Sequence, residues 1–241
     1  MESLAGIHAV MEALRAGRPI DRVLAVKGAG GSRLQEIIDL CRELRVPLRF
    51  ETRDTLDRLA RGSVHQGVVA IGARQRYASL DDVPASASLL VLLDGVEDPH
   101  NLGAVIRTAH AAGADAVVIP ERRAAPVTAA AAKAAAGALE HLPVVRVANS
   151  NRALETLKKQ GFWIYGFDQR GDSTYDKVDY SPRSVMVFGG EGHGLHEQVR
   201  RHCDFLVCIP LAGKIASLNI SVAAGVALFE WKRRRTGAAA R

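Results

Sequence analysis

From residue 89 onward the chain repeats one pattern: a short apolar run followed by a longer segment of helical character. The runs are Leu89–Asp94 (LLVLLD), Ala116–Ile119, Val144–Val147, Phe162–Phe167, Ser184–Gly189 and Phe205–Ile209. A strand with one face in water alternates apolar and polar residues, whereas a strand covered on both faces is apolar almost throughout. Helices expected at 101–113, 127–137, 150–160, 195–202 and 219–234 supply the covers. The pattern predicts an α/β domain with a mostly parallel sheet. Ligands of such sheets bind beyond the carboxyl ends of the strands. That directs attention to the loops after Asp94, Gly189 and Ile209.

Residues 1–73 form a smaller α/β unit by the same reasoning. Ile7, Val10, Met11 and Leu14 recur at helical spacing within 6–16, and Arg22–Val26 reads as a strand. Ser32 can cap a helix with an apolar stripe of Leu34, Ile37, Ile38 and Leu44. Pro47–Phe50 is a strand, Thr52–Arg61 a helix and Val64–Ile71 the last strand. The stretch 74–87 lacks periodicity and contains Pro84, so it is expected to connect this unit to a second domain at 88–241.

The loop after Asp94 continues as GVEDPHNLGAVIRTAHAAG. Asp98 or Asn101 can cap the helix that follows. Asn101 and Arg107, six residues apart, are rotated by about 600° and so do not share a narrow face. The bland alternative is a capping Asn101 and a solvated Arg107. The loop after Phe188, GGEGHGL, holds four glycines in six residues with Glu191 among them. Such glycines permit positive φ or a close backbone approach to a ligand. Neither the dinucleotide fingerprint nor a phosphate-binding Gly-Lys-Ser/Thr loop is present. The third loop leads from Ile209-Pro210 through Gly213 and Lys214 to Ser217-Leu218-Asn219, which opens a long apolar helix. Ser217 and Asn219 can cap it, and its free amides can meet an anion.

Composition tilts the choice of partner. The net charge is +6 and the isoelectric point about 9.5, which favours polyanions. An aromatic content of 5% argues against single-strand binding by stacking. Cys41, Cys203 and Cys208 are too few and too odd for a disulfide framework, so a reducing cytoplasm is expected. No signal peptide or bilayer-spanning run is seen, and no membrane partner is expected. His193, His196, His202, Cys203 and Cys208 lie close in sequence but lack the paired spacing of a zinc site, so no metal is expected.

Together DPHNLGAVIRTAHAAG, VMVFGGEGHGL and IPLAGKIASLNISVAAGVALFEW closely resemble the three motifs of the SpoU/TrmH family of RNA ribose methyltransferases, in the same order. LAGIHAVMEAL and VHQGVVA resemble that family's small N-terminal RNA-binding domain, an α/β unit similar to ribosomal protein L30e. The resemblance implies a SPOUT-type sheet with a deep trefoil knot near the C-terminus, S-adenosylmethionine as cofactor and a homodimer whose site draws on both subunits. Its motif residues fall on Asn101, Arg107, Glu191, Ser217 and Asn219, expected to be catalytic. Gly189, Gly190, Ile209, Leu211 and Leu218 are expected to hold the cofactor through backbone groups. Lys214-Ile215-Ala216 stands where related chains often carry small or hydroxylic residues. The implied reaction is 2′-O-methylation, on a guanosine of 23S ribosomal RNA in the peptidyl-transferase region. Alternatives are a tRNA enzyme of the family, a resistance methylase and a non-catalytic ribosome assembly factor. Arg15, Arg18, Lys27 and Arg33 are candidate RNA contacts.

Overall fold

The computed structural model describes residues 3–18, 20–72, 77–214 and 217–239. The first unit comprises β1 (Ser3–Ala5), α1 (Ile7–Arg15), β2 (Arg22–Val26), α2 (Ser32–Glu43), β3 (Leu48–Glu51), α3 (Arg53–Ala60) and β4 (Val68–Ile71). Its sheet runs β1-β4-β2-β3, with only the β2/β3 pair parallel. Val10, Leu14, Leu34, Ile37 and Cys41 from α1 and α2 cover one face with Val23 and Val68, while Leu56 and Ala60 from α3 cover the other with Leu24 and Val69.

Three details differ from expectation. Ser32 is the first helical residue and Gly31 the N-cap, so Ser32 caps nothing. Leu44 lies past the end of α2 and is exposed. The last strand starts at Val68, not Val64, because Gln66 and Gly67 adopt positive φ and His65 Nδ1 accepts the Gly67 amide at 2.9 Å, closing a turn.

The second unit comprises β5 (Leu89–Asp94), α4 (Pro99–Ala112), β6 (Ala116–Pro120), α5 (Ala129–Ala135), β7 (Val144–Val147), α6 (Ser150–Lys159), β8 (Trp163–Phe167), β9 (Ser173–Thr174), β10 (Ser184–Gly189), α7 (Glu197–His202), β11 (Phe205–Cys208) and α8 (Ile220–Ala239). Its seven strands run β7-β6-β5-β10-β8-β11-β9, and every pairing is parallel. The unbroken apolar runs have the predicted cause. Leu89, Val91 and Leu93 pack under α4, α5 and α8, whereas Leu90 and Leu92 pack under α6 and α7. Strand order reverses between β5 and β10, which opens a crevice at their carboxyl ends.

Part of the expected connection belongs to this second sheet. Ala78 donates to Val144 O at 2.9 Å and accepts from Arg146 N at 3.0 Å, extending the β7 edge. Residue 73 of the first unit and residues 74–76 of that connection lie outside the described residues. The two units meet through Arg18 and Glu140, an ion pair of 2.6 Å with side chains only 13% and 5% exposed. Glu12 and His141 add a contact of 2.7 Å beside it. Arg18 is therefore corrected from RNA contact to domain fastener: burial pushes the Glu140 carboxyl upward, and the guanidinium opposes that shift.

Candidate active site

α4 begins at Pro99, two residues before the expected 101, and of the two candidate caps it uses Asp98. Asp98 Oδ1 accepts the His100 amide at 2.8 Å, and Pro99 occupies the first turn, where its missing N–H costs nothing. That start turns Asn101 inward and Arg107 outward, as the rotation between them requires.

Asn101 is buried and does more than end a helix. Its Nδ2 donates to Glu191 in the glycine-rich loop. Its Oδ1 accepts from Asn219 Nδ2 at 3.0 Å. Asn219 in turn caps α8, its Oδ1 accepting from Ser221 N at 2.9 Å and Ser221 Oγ at 2.6 Å. One carboxamide thus joins the three loops that the sequence singled out. Asn101→Asp replaces the donor to Glu191 with an oxygen and sets two carboxylates together. The variant is expected to lose about 2 kcal/mol of stability in urea unfolding at pH 7, and recovery at pH 4 is the check on charge as the cause.

Two of the four glycines are required by neighbouring backbone. A Cβ on Gly189 would lie 2.0 Å from the Gly194 carbonyl carbon, and one on Gly190 would lie 2.1 Å from Gly95 O. Two chain segments pass at contact distance here, and no side chain fits between them. The Gly190–Gly194 loop closes on itself through the Gly194 amide and Gly190 O at 3.1 Å.

A cleft of about 660 Å³ opens beyond β8, β10 and β11. Gly189, Gly190, Ile209, Leu211 and Leu218 line it, together with Glu191, Ser217 and Asn219. Phe167 and Phe188 stack at 4.7 Å in its wall. Asn101 stands behind the lining. Arg107 does not line the cleft. It lies exposed on α4 and has no hydrogen bond or ion pair among the described residues.

Sequence reasoning missed Asp168, which also lines the cleft. Its carboxylate, 5% exposed, takes two hydrogen bonds from Arg170, Nε at 2.9 Å and Nη2 at 2.8 Å. That guanidinium holds the carboxyl below its usual range. The available signal was position: Asp168 follows the carboxyl end of β8, and only the loops after three other strands were weighed. Among the described residues no three His, Cys, Asp or Glu side chains converge to hold a metal, and no helix is long and apolar enough to cross a membrane. Burial pushes the Cys41 thiol up to about 11 and the Cys203 thiol up to about 12, so neither offers a ready thiolate.

Of the expected RNA contacts in the first unit, Arg15 pairs with Glu12 at 2.9 Å and with Glu36. Arg33 lies 3.4 Å from His8 Nε2, and Lys27 is exposed.

A parallel sheet with a ligand cleft beyond the carboxyl ends of β8, β10 and β11, walled by the loops that follow them, defines an α/β ligand-binding enzyme domain carrying a small α/β appendage. Residues 88–229 match the SpoU rRNA Methylase family, and residues 4–78 match the RNA 2′-O ribose methyltransferase substrate binding family. The 23S rRNA (guanosine-2′-O-)-methyltransferase RlmB of Pasteurella multocida is 42% identical over 241 residues, spanning 97% of this chain and 98% of that protein. The crystal structure of the SpoU methyltransferase AviRb from Streptomyces viridochromogenes in complex with AdoMet superposes with a TM-score of 0.86 at 27% identity, covering 97% of this chain and 90% of that one. The AdoMet-bound rRNA methyltransferase from Sinorhizobium meliloti superposes with a TM-score of 0.83 at 28% identity, covering 96% and 87%. The chain belongs to the SpoU/TrmH family of RNA 2′-O-ribose methyltransferases.

Proposed function

We propose that the protein methylates the ribose 2′-hydroxyl of a guanosine in 23S ribosomal RNA, in the peptidyl-transferase region, using S-adenosylmethionine in the cytoplasm. The observation that carries this reading is the Asn101 carboxamide bound to both Glu191 and Asn219 at the wall of the cleft. The similarity to RlmB supports the substrate, and the AdoMet-bound relatives support the cofactor.

The lining suits that cofactor. The Phe167–Phe188 wall and Ile209 offer an apolar surface to a flat base. Backbone groups of Gly189, Gly190, Ile209, Leu211 and Leu218 would hold its polar edges, and Asp168 offers acceptors for hydroxyls or an ammonium group. When bound, the cofactor supplies a methyl group activated on a sulfonium. The tight passages of Gly189 against Gly194 and of Gly190 against Gly95, followed by the 209–219 segment, fit the trefoil knot of the family. The domain limits 1–73, 74–87 and 88–241 stand in this reading, with Ala78 of the connection pairing with the second sheet.

Catalysis rests on positioning and charge. Asn101, Asn219 and Ser217 fix the loops around the ribose, and Glu191 orders the glycine-rich turn. Arg107 stabilises the developing alkoxide and a neighbouring phosphate. It is not the base, because a guanidinium keeps its proton in protein settings. Arg107 does not line its own cleft; α4, which carries it, packs against α8, whose Val222 and Phe229 expose 51% and 48% of their surface. In the homodimer of this reading each protomer lends Arg107 to the other's cleft. Lys27, Arg33 and the solvent-facing edge of Arg15 remain the RNA contacts of the first unit.

Mass mapping of ribose methylation in 23S rRNA from cells with and without the protein tests the substrate. One methylated guanosine should vanish and return with the wild-type gene, but not with Arg107→Ala. An unchanged 23S map, or loss confined to tRNA, refutes it.

A further inference from the structure

A second pocket, of about 270 Å³, opens beyond the carboxyl ends of β5, β6 and β7. It lies back to back with the cofactor cleft. Gly95 lines the pocket, Gly190 lines the cleft, and a Cβ on Gly95 would stand 3.9 Å from Gly190 Cα. One crossing of the backbone separates them.

Three sets of donors face this pocket. Arg122 and Arg123 are exposed on the loop after β6, with no hydrogen bond or ion pair among the described residues. His196 is fixed from behind by Asp94, itself 5% exposed, whose Oδ2 accepts the His196 amide at 3.0 Å and lies 2.9 Å from Nδ1. Nε2 is then the ring's remaining polar atom, and it donates to an anion when the ring carries both protons. The first turn of α6 completes the wall. Asn149 Oδ1 accepts Arg152 N at 3.1 Å, and the first helical bond runs from Ala153 N to Asn149 O at 3.1 Å. The amides of Ser150 and Asn151 precede those bonds at the positive end of the helix.

We propose that this pocket binds the backbone of the RNA substrate, with one phosphate against Arg122, Arg123, His196 and the α6 amides. The proposal rests on the RNA-methylating reading above and extends it, since a strand held here passes directly behind the cofactor crossing. It gives the second domain its own grip on RNA, independent of the first unit.

Filter binding to the unmodified transcript of the peptidyl-transferase segment of 23S rRNA tests it. Arg122→Gln with Arg123→Gln should weaken binding tenfold or more and make the salt dependence shallower by about one unit of slope. Lys177→Glu, which changes the total charge equally but lies at the far edge of the sheet, should stay within twofold. Melting temperature and cofactor affinity should hold in all variants. Wild-type affinity in the arginine double variant, or an equal loss in Lys177→Glu, overturns the assignment. Failure of the wild-type protein to bind the transcript refutes the RNA reading itself, a result distinct from normal wild-type binding that the arginine variant leaves unchanged.

Discussion

Alanine at position 190 is expected to abolish cofactor binding and to cost about 3 kcal/mol of stability, the upper range for a group forced into filled space. The added methyl would lie 2.1 Å from Gly95 O and 2.8 Å from Gly95 C, both backbone atoms. Neither can retreat. Gly95 follows β5 and Gly190 follows β10, and those strands are paired through Gly189 and Asp94 at their ends. Separating the two segments means breaking the central pairing of the sheet. Gly192→Ala is the control: Gly192 has φ of +83° with open space around its would-be Cβ, so alanine there should cost only about 1 kcal/mol of backbone strain. Urea unfolding and cofactor titration of the two variants separate packing from conformation. Equal effects at both positions would mean that the crossing is not the constraint.

Loss of the Arg107 guanidinium is expected to lower kcat by about 10³-fold, in the range seen when a transition-state donor is removed. Because the side chain is exposed and makes no hydrogen bond or ion pair among the described residues, Arg107→Ala should leave the melting temperature and cofactor affinity unchanged. Arg107→Lys should be nearly as inactive, since an ammonium cannot reproduce the planar two-point contact of a guanidinium. The shared-site arrangement adds a sharper expectation. Mixing and re-forming dimers from Arg107→Ala and Glu191→Gln proteins, each inactive alone, should restore about a quarter of wild-type activity, because half the dimers are mixed and each mixed dimer has one intact site. No recovery on mixing would place Arg107 and Glu191 in the same subunit's site, and near-normal turnover by Arg107→Ala would remove the residue from the chemistry.

Much of this was legible in the residues. The unbroken apolar runs gave β5 and β10 their depth because both sheet faces are covered. The six-residue separation of Asn101 and Arg107 already set them on different sides of α4. What stayed hidden has physical reasons. β9 is two polar residues, Ser173 and Thr174, paired only at the sheet edge, and carries no apolar signal. Ala78 sits in a stretch without periodicity yet pairs with β7, because an edge accepts backbone hydrogen bonds from any sequence. Arg18 looked like a surface cation because a buried ion pair is visible only once Glu140, far away in the chain, is brought to it. The glycines after Phe188 were read as allowing positive φ or a close approach to a ligand; Gly192 and Gly194 adopt positive φ, whereas at Gly189 and Gly190 the close neighbour is the chain itself. Asn101 alone read as a cap; only the fold brings Glu191 and Asn219 to its two ends.

Everything functional depends on the cleft between the glycine-rich turn, the 209–219 segment and β8 being the place where the methyl donor sits. Isothermal titration calorimetry of folded wild-type protein with S-adenosylmethionine measures that directly. Saturable uptake of one cofactor per chain is expected, lost in Gly190→Ala and retained in Arg107→Ala. No heat of binding from protein with an intact melting transition, or equal binding by Gly190→Ala, would contradict it.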